Sequence, residues 1–84
     1  MPVVENMEMG LQPLDGIMER LGLTNHALVA ASGEQLTHKV VQKGRLGRQL
    51  TRNAQEKILR ALSRAAGPAE TFTRDQLFTY RGRV

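Results

Sequence analysis

Few side chains in this sequence are of types and spacings that could do covalent chemistry. The two serines, Ser32 and Ser63, lack the Gly-x-Ser-x-Gly setting of a nucleophile elbow. The two histidines, His26 and His38, stand twelve residues apart with no metal-ligand spacing around them, and there is no cysteine. Gly44-Arg45-Leu46-Gly47 has neither the spacing nor the lysine of a phosphate-binding loop. Carboxylates paired for acid–base work are not apparent. No catalytic residue, metal site or cofactor is therefore expected, and a helical chain of 84 residues offers little volume for a small-molecule substrate. The sequence reads as a binding protein, not an enzyme.

The chemistry the chain does carry is charge. From Met1 to Thr37 five acids (Glu5, Glu8, Asp15, Glu19, Glu34) face a single base, Arg20. From His38 to Arg64 eight bases (Lys39, Lys43, Arg45, Arg48, Arg52, Lys57, Arg60, Arg64) face only Glu56. Clustered Lys and Arg can replace the counterions condensed on a phosphate backbone, so a basic half following an acidic one points to a polyanionic partner. A solvated basic face with no partner would show the same composition, so charge alone does not decide.

These residues must be positioned by short helices. Leu14, Ile17, Met18 and Leu21 recur at helical spacing, with Pro13 and Asp15 suited to a first turn and Gly22 to a stop. Thr24 is placed to cap a second helix through Ser32, broken by Gly33, and Thr37 a third through Leu46, ended by Gly47. Ala54, Ile58, Ala61 and Leu62 share one face of a fourth helix that either Thr51 or Asn53 could cap, with Gly67-Pro68 as its stop. Thr73 with Gln76 forms a capping-box pattern ahead of Leu77, Phe78 and Tyr80.

The expectation is an all-α bundle of four to five short helices near 14–22, 25–32, 37–46, 53–66 and 73–81. Residues 1–12 would form a flexible tail, and 13–84 one domain whose C-terminal tail packs on the core. Helices this short cannot stand alone in water and must bury their apolar faces on one another. The expected core is Leu14, Ile17, Met18, Leu21, Leu23, Leu28, Ala31, Leu36, Val41, Leu50, Ile58, Ala61 and Leu62. The aromatics Phe72, Phe78 and Tyr80 would pack over it, since the basic stretch has no aromatic that could serve as a base-stacking platform. The first residues are acidic and include no basic n-region or long apolar run, and no segment reaches the roughly 20 apolar residues of a membrane span. With no cysteine, a cytoplasmic protein without membrane association is expected.

The segment Leu23-Thr24-Asn25-His26-Ala27-Leu28-Val29-Ala30-Ala31-Ser32-Gly33 resembles the second helix of λ-repressor and Cro-like (XRE-type) helix-turn-helix domains. There a threonine caps the helix, a polar residue opens it, leucine and a small residue point inward, and glycine makes the turn. Thr37 to Gly47 resembles the recognition helix of that family, with Val41 as its buried branched residue, and Leu50 to Leu62 the helix after it. The likeness covers about Leu14 to Arg64. Two features depart from the family. Glu34 and Gln35 lengthen the turn, and Gly44 stands where a bulky apolar residue normally packs, leaving a gap for Leu46 or a tail aromatic to fill.

The resemblance implies a sequence-specific double-stranded DNA-binding protein, a transcriptional regulator acting alone or as a homodimer. Thr37, His38, Lys39, Gln42 and Lys43 would face base edges in the major groove, Gln42 pairing with adenine and the lysines with guanine. Asn25, Arg45, Arg48 and Arg52 would meet phosphates. A protein-interaction module that keeps this fold without binding DNA is the alternative. An RNA-binding protein is a third possibility, though no RNA-module motif is present.

Overall fold

The computed structural model describes residues 10–67 and 70–79. Among them are five helices and no strand: α1 Pro13–Arg20, α2 Asn25–Ala31, α3 His38–Leu46, α4 Arg52–Ala66 and α5 Arg74–Leu77. The all-α bundle expected from the sequence is the observed architecture, with helix ends within a few residues of those read from caps and periodicity.

The starts of the helices follow from their threonines. The hydroxyls of Thr24, Thr37 and Thr51 each accept from the backbone N–H three residues on, at Ala27, Val40 and Ala54. Each satisfies one of the donors a helix start leaves unpaired. Thr51, not Asn53, therefore caps α4, and Glu56 turns outward to Arg60 and Arg74. Thr73 and Gln76 close the expected capping box at α5. Gly47 ends α3 in the left-handed region (φ 91°), and a Cβ there would collide with the Gly10 carbonyl, so the position needs glycine twice over.

The core is one cluster of Leu14, Met18, Leu28, Leu36, Val41, Leu50, Ile58, Ala61, Leu62, Leu77 and Phe78. α4 supplies its spine, placing Ile58, Ala61 and Leu62 inward, and α2 packs closely along it. Each fully buried aliphatic side chain contributes about 1.5–3 kcal/mol, and tying five short helices to one such cluster is what makes them stable. Ile17, Leu21 and Leu23 pack at its edge, and Ala31 is half-buried. Leu77 and Phe78 extend the core from the C-terminal side and Phe72 packs against it, while Tyr80 lies outside the described residues.

Three expectations are corrected. Leu46 does not fill the space beside Gly44; it is 45 % exposed. The space is occupied by the methyls of Ile58, Leu50 and Leu14, which would lie 3.1, 3.2 and 3.5 Å from a Cβ at position 44. Gly33 is not what breaks α2, since the helix already ends at Ala31 and Ser32 is extended. Its lack of a side chain makes room for the Arg64 guanidinium. The expected flexible tail lies mostly outside the described residues, but its last residue, Gln12, is buried. The Gln12 N–H donates to the Arg45 carbonyl (3.1 Å), its amide donates to Gly10 O (3.0 Å), and its Oε1 accepts from Thr79 N (2.6 Å).

Candidate nucleic-acid interface

α3 has two faces, and its sequence sets them. Val41 and Gly44, three residues apart, point into the core, while His38, Lys39 and Gln42 are exposed and Lys43 is half-buried between the faces. The helix holds no acid, and its last turn carries Lys43 and Arg45. Arg48 and Arg52 are exposed beyond its C-terminal end. The Thr37 oxygen is engaged as the helix cap, so this residue opens the face rather than forming its centre.

α2 lies across the start of this face. His26, second in α2, meets His38, first in α3: Nδ1 and Nε2 are 3.3 Å apart, with ring centroids at 5.4 Å and planes inclined by 22°. A centroid separation 2.1 Å longer than the nitrogen separation means that the rings meet nitrogen to nitrogen rather than face over face. One N–H can then point at the other ring's lone pair and tie the two helix starts together. The sequence reading kept these histidines apart. Counting from the caps at Thr24 and Thr37 would have put both in the first turns of adjoining helices.

Asn25 and Arg45 were expected at phosphates, and the structure gives both other partners. The Arg45 side chain is only 15 % exposed. Its Nε donates to Asp15 Oδ1 at 2.7 Å, its Nη1 donates to Asn25 Oδ1 at 2.7 Å, and Glu19 lies 3.7 Å from its Nη2. Asn25 in turn donates from Nδ2 to Gln42 Oε1 at 2.7 Å. Arg45 is thus not a phosphate clamp; its guanidinium is enclosed between α1 and α2 because the first turn of α1 carries Asp15. The cationic side chains on or beside the exposed face are Lys39, Lys43, Arg48 and Arg52.

The lengthened turn, residues 32–37, is fixed over its first residues. The Ser32 hydroxyl accepts from Glu34 N and donates to Glu34 O, both at 3.1 Å. The Glu34 carboxylate accepts from Arg60 at 2.6 and 2.8 Å. That hydrogen bond holds the Glu34 carboxyl below the usual carboxylate range, as the Arg20 guanidinium does for Glu70. Of the two residues added to the turn, Glu34 thus docks it on α4, while Gln35 is exposed.

Among the described residues no group of three or more metal-ligating side chains comes together, and no helix is long and apolar enough to cross a membrane. An open groove of about 460 Å³ lies at the end of α4, lined by Ser63, Arg64, Gly67, Glu70, Thr71 and Phe72, and none of the candidate reading residues lines it. The chain matches no protein-family model, no curated protein and no solved structure.

Proposed function

We propose that this protein binds duplex DNA through the exposed face of α3, as a helix-turn-helix domain of the λ-repressor and Cro-like type with a lengthened turn. In this reading it is an intracellular regulator rather than an enzyme. The observation that carries the proposal is the register of α3. With Val41 and Gly44 buried, Lys39 and Gln42 stand on one exposed face with Lys43 at its margin, on a helix capped at its start by Thr37. An α-helix fits the major groove, where lysines can donate to guanine O6 and N7 and an amide can meet several base edges. Arg48 and Arg52 follow the helix, where a backbone phosphate would lie.

The test is a titration of duplex DNA at increasing salt. Affinity should fall steeply, and replacing Arg52 by alanine should flatten the slope of log K against log salt by roughly 0.9 for the phosphate no longer neutralised. A second reading, a protein-interaction module, is favoured by the exposure of Leu11 (67 %) and Leu46 (45 %), which flank the hydrogen bond from Gln12 to Arg45. Failure to bind duplex DNA at low salt would make that second reading the better one.

A further inference from the structure

Arg45, Asn25 and Gln42 form a chain of hydrogen bonds whose direction is fixed at one end, and this determines which part of the Gln42 amide is left for a partner. An ionised carboxylate only accepts and a guanidinium only donates. Arg45 Nε donates to Asp15 Oδ1, so the guanidinium is anchored, and Nη1 can meet Asn25 only at its oxygen, as it does at 2.7 Å. With Oδ1 turned to Arg45, Nδ2 of Asn25 is the group facing α3, and it donates to Gln42 Oε1 at 2.7 Å. Turning the Gln42 amide over would set one NH₂ against another and leave both without an acceptor. The Gln42 oxygen therefore faces Asn25, and Nε2 is the end turned away from it on an exposed residue.

Resting on the DNA-binding reading above, we propose that Asp15, Arg45 and Asn25 make Gln42 a hydrogen-bond donor toward the base edge. The residue then selects an acceptor-bearing base, guanine through O6 or N7, thymine through O4 or adenine through N7 alone, and rejects cytosine, whose major-groove edge only donates. The two-way pairing with adenine expected of an unconstrained glutamine needs the amide oxygen and nitrogen presented together. Arg45 and Asn25 are positioning residues in this scheme; neither touches the base.

The experiment inverts the chain. In Asn25→Asp both carboxylate oxygens accept, so Gln42 must donate Nε2 to residue 25 and turn Oε1 outward. Bound sequences are selected from a random duplex pool, and the position read by Gln42 is the one whose preference disappears in Gln42→Ala. The wild type should disfavour cytosine there and enrich guanine most, because its O6 and N7 both accept. Asn25→Asp should move the preference by about tenfold toward cytosine, whose edge offers only an amino group. In the free protein, an NMR coupling across the hydrogen bond from Asn25 Nδ2 to the Gln42 carbonyl carbon should be present in the wild type. If Asn25→Asp does not fold, Asn25→Ala serves instead, and the bias against cytosine should shrink as the freed amide turns either way.

Duplex binding with the same base preference in wild type and variant overturns the inference and leaves DNA binding standing. No duplex binding by the wild type overturns the DNA-binding reading and the base assignment together. A missing coupling between Asn25 and Gln42 overturns the chain of hydrogen bonds itself.

Discussion

Gly44 sets two opposed effects against each other, and their sizes can be worked out. In the last turn of α3, replacing glycine by alanine should gain up to about 1 kcal/mol from helix propensity. The added Cβ would lie 3.1 Å from Ile58 Cδ1 and 3.2 Å from Leu50 Cδ1, short of the roughly 3.5–4.0 Å of an ordinary carbon contact. Both side chains are buried, so the methyls must move by a few tenths of an ångström inside a packed core. Forcing a methyl into such a site costs about 1–3 kcal/mol, with this small displacement at the low end. Gly44→Ala alone should therefore leave stability within about 1 kcal/mol of wild type. Ile58→Val removes the atom at 3.1 Å and by itself should cost about 0.5–1.5 kcal/mol. With that atom gone, Gly44→Ala should become stabilising, giving a coupling of about 1 kcal/mol between the two substitutions. Urea denaturation of the four proteins of this cycle, followed by far-ultraviolet circular dichroism, measures it. Additivity within about 0.4 kcal/mol would refute the steric account. Gly44→Leu, which adds four carbons where there is no space for them, should remove most of the roughly 4–13 kcal/mol expected of 84 residues.

The register of α3 can be tested with two alanines. Val41→Ala should lower stability by about 2–3 kcal/mol, from two lost methyls and the cavity they leave. Gln42→Ala should change stability by less than about 0.5 kcal/mol and alter the bound sequence; a thermal melt giving the reverse order would mean a rotated helix. Thr37→Ala removes the cap of α3 and should cost about 1 kcal/mol, measured by denaturant unfolding, whereas Thr37→Ser should recover most of it. Acid sensitivity has a defined sign. The Glu34 and Glu70 carboxyls are held low by Arg60 and Arg20, so what they add to stability is complete above the ordinary carboxylate range and is lost as pH falls through their lowered values. Both sites are exposed, so the effect should be small and weakened by salt. Glu34→Gln should make unfolding slightly less dependent on pH between neutral and acid, and an unchanged pH profile would count against the pair.

What was legible in the sequence was local. A cap acts on a backbone N–H three residues away and an apolar stripe repeats every three or four, so Thr24, Thr37, Val41, Ile58 and Leu62 could be placed by counting along the chain. What was not legible depends on how helices cross. Arg45 belongs to a basic run in the sequence, yet its partner Asp15 lies 30 positions earlier, and only the approach of α1 to α3 makes the pair. Gln12 looks like the end of a tail until Thr79, 67 positions later, donates to it. Gly44 and Leu46 show the same limit. Periodicity gives the inward direction at position 44, but not that Ile58 and Leu50 reach far enough to fill it and leave Leu46 in solvent.

The crossing of helices also redistributes the charge that first suggested a polyanionic partner. Of the bases between His38 and Arg64, Arg45 is neutralised by Asp15 and Arg60 by Glu34. Outside that stretch Arg20 pairs with Glu70, and Arg74 with Glu56. These acids lie on α1, on the turn after α2, on α4 and near α5, while α3 itself carries none. Lys57 and Arg64 lie further along α4, so the bases on or next to the acid-free α3 are Lys39, Lys43 and Arg52, with Arg48 between them, and the net charge of +4 does not describe that side. At physiological salt the field reaches only about 8 Å, so this local set, not the total, would govern attraction to a phosphate backbone. Arg45 contributes in another way. By donating to a carboxylate on one side and to an amide oxygen on the other, it converts a cation of the basic run into a fixed orientation of Asn25, and through it of Gln42. A chain that used all its arginines for phosphate would bind more strongly and leave the α3 amide free to turn. In the proposed reading, holding one of them back is what gives that amide a direction.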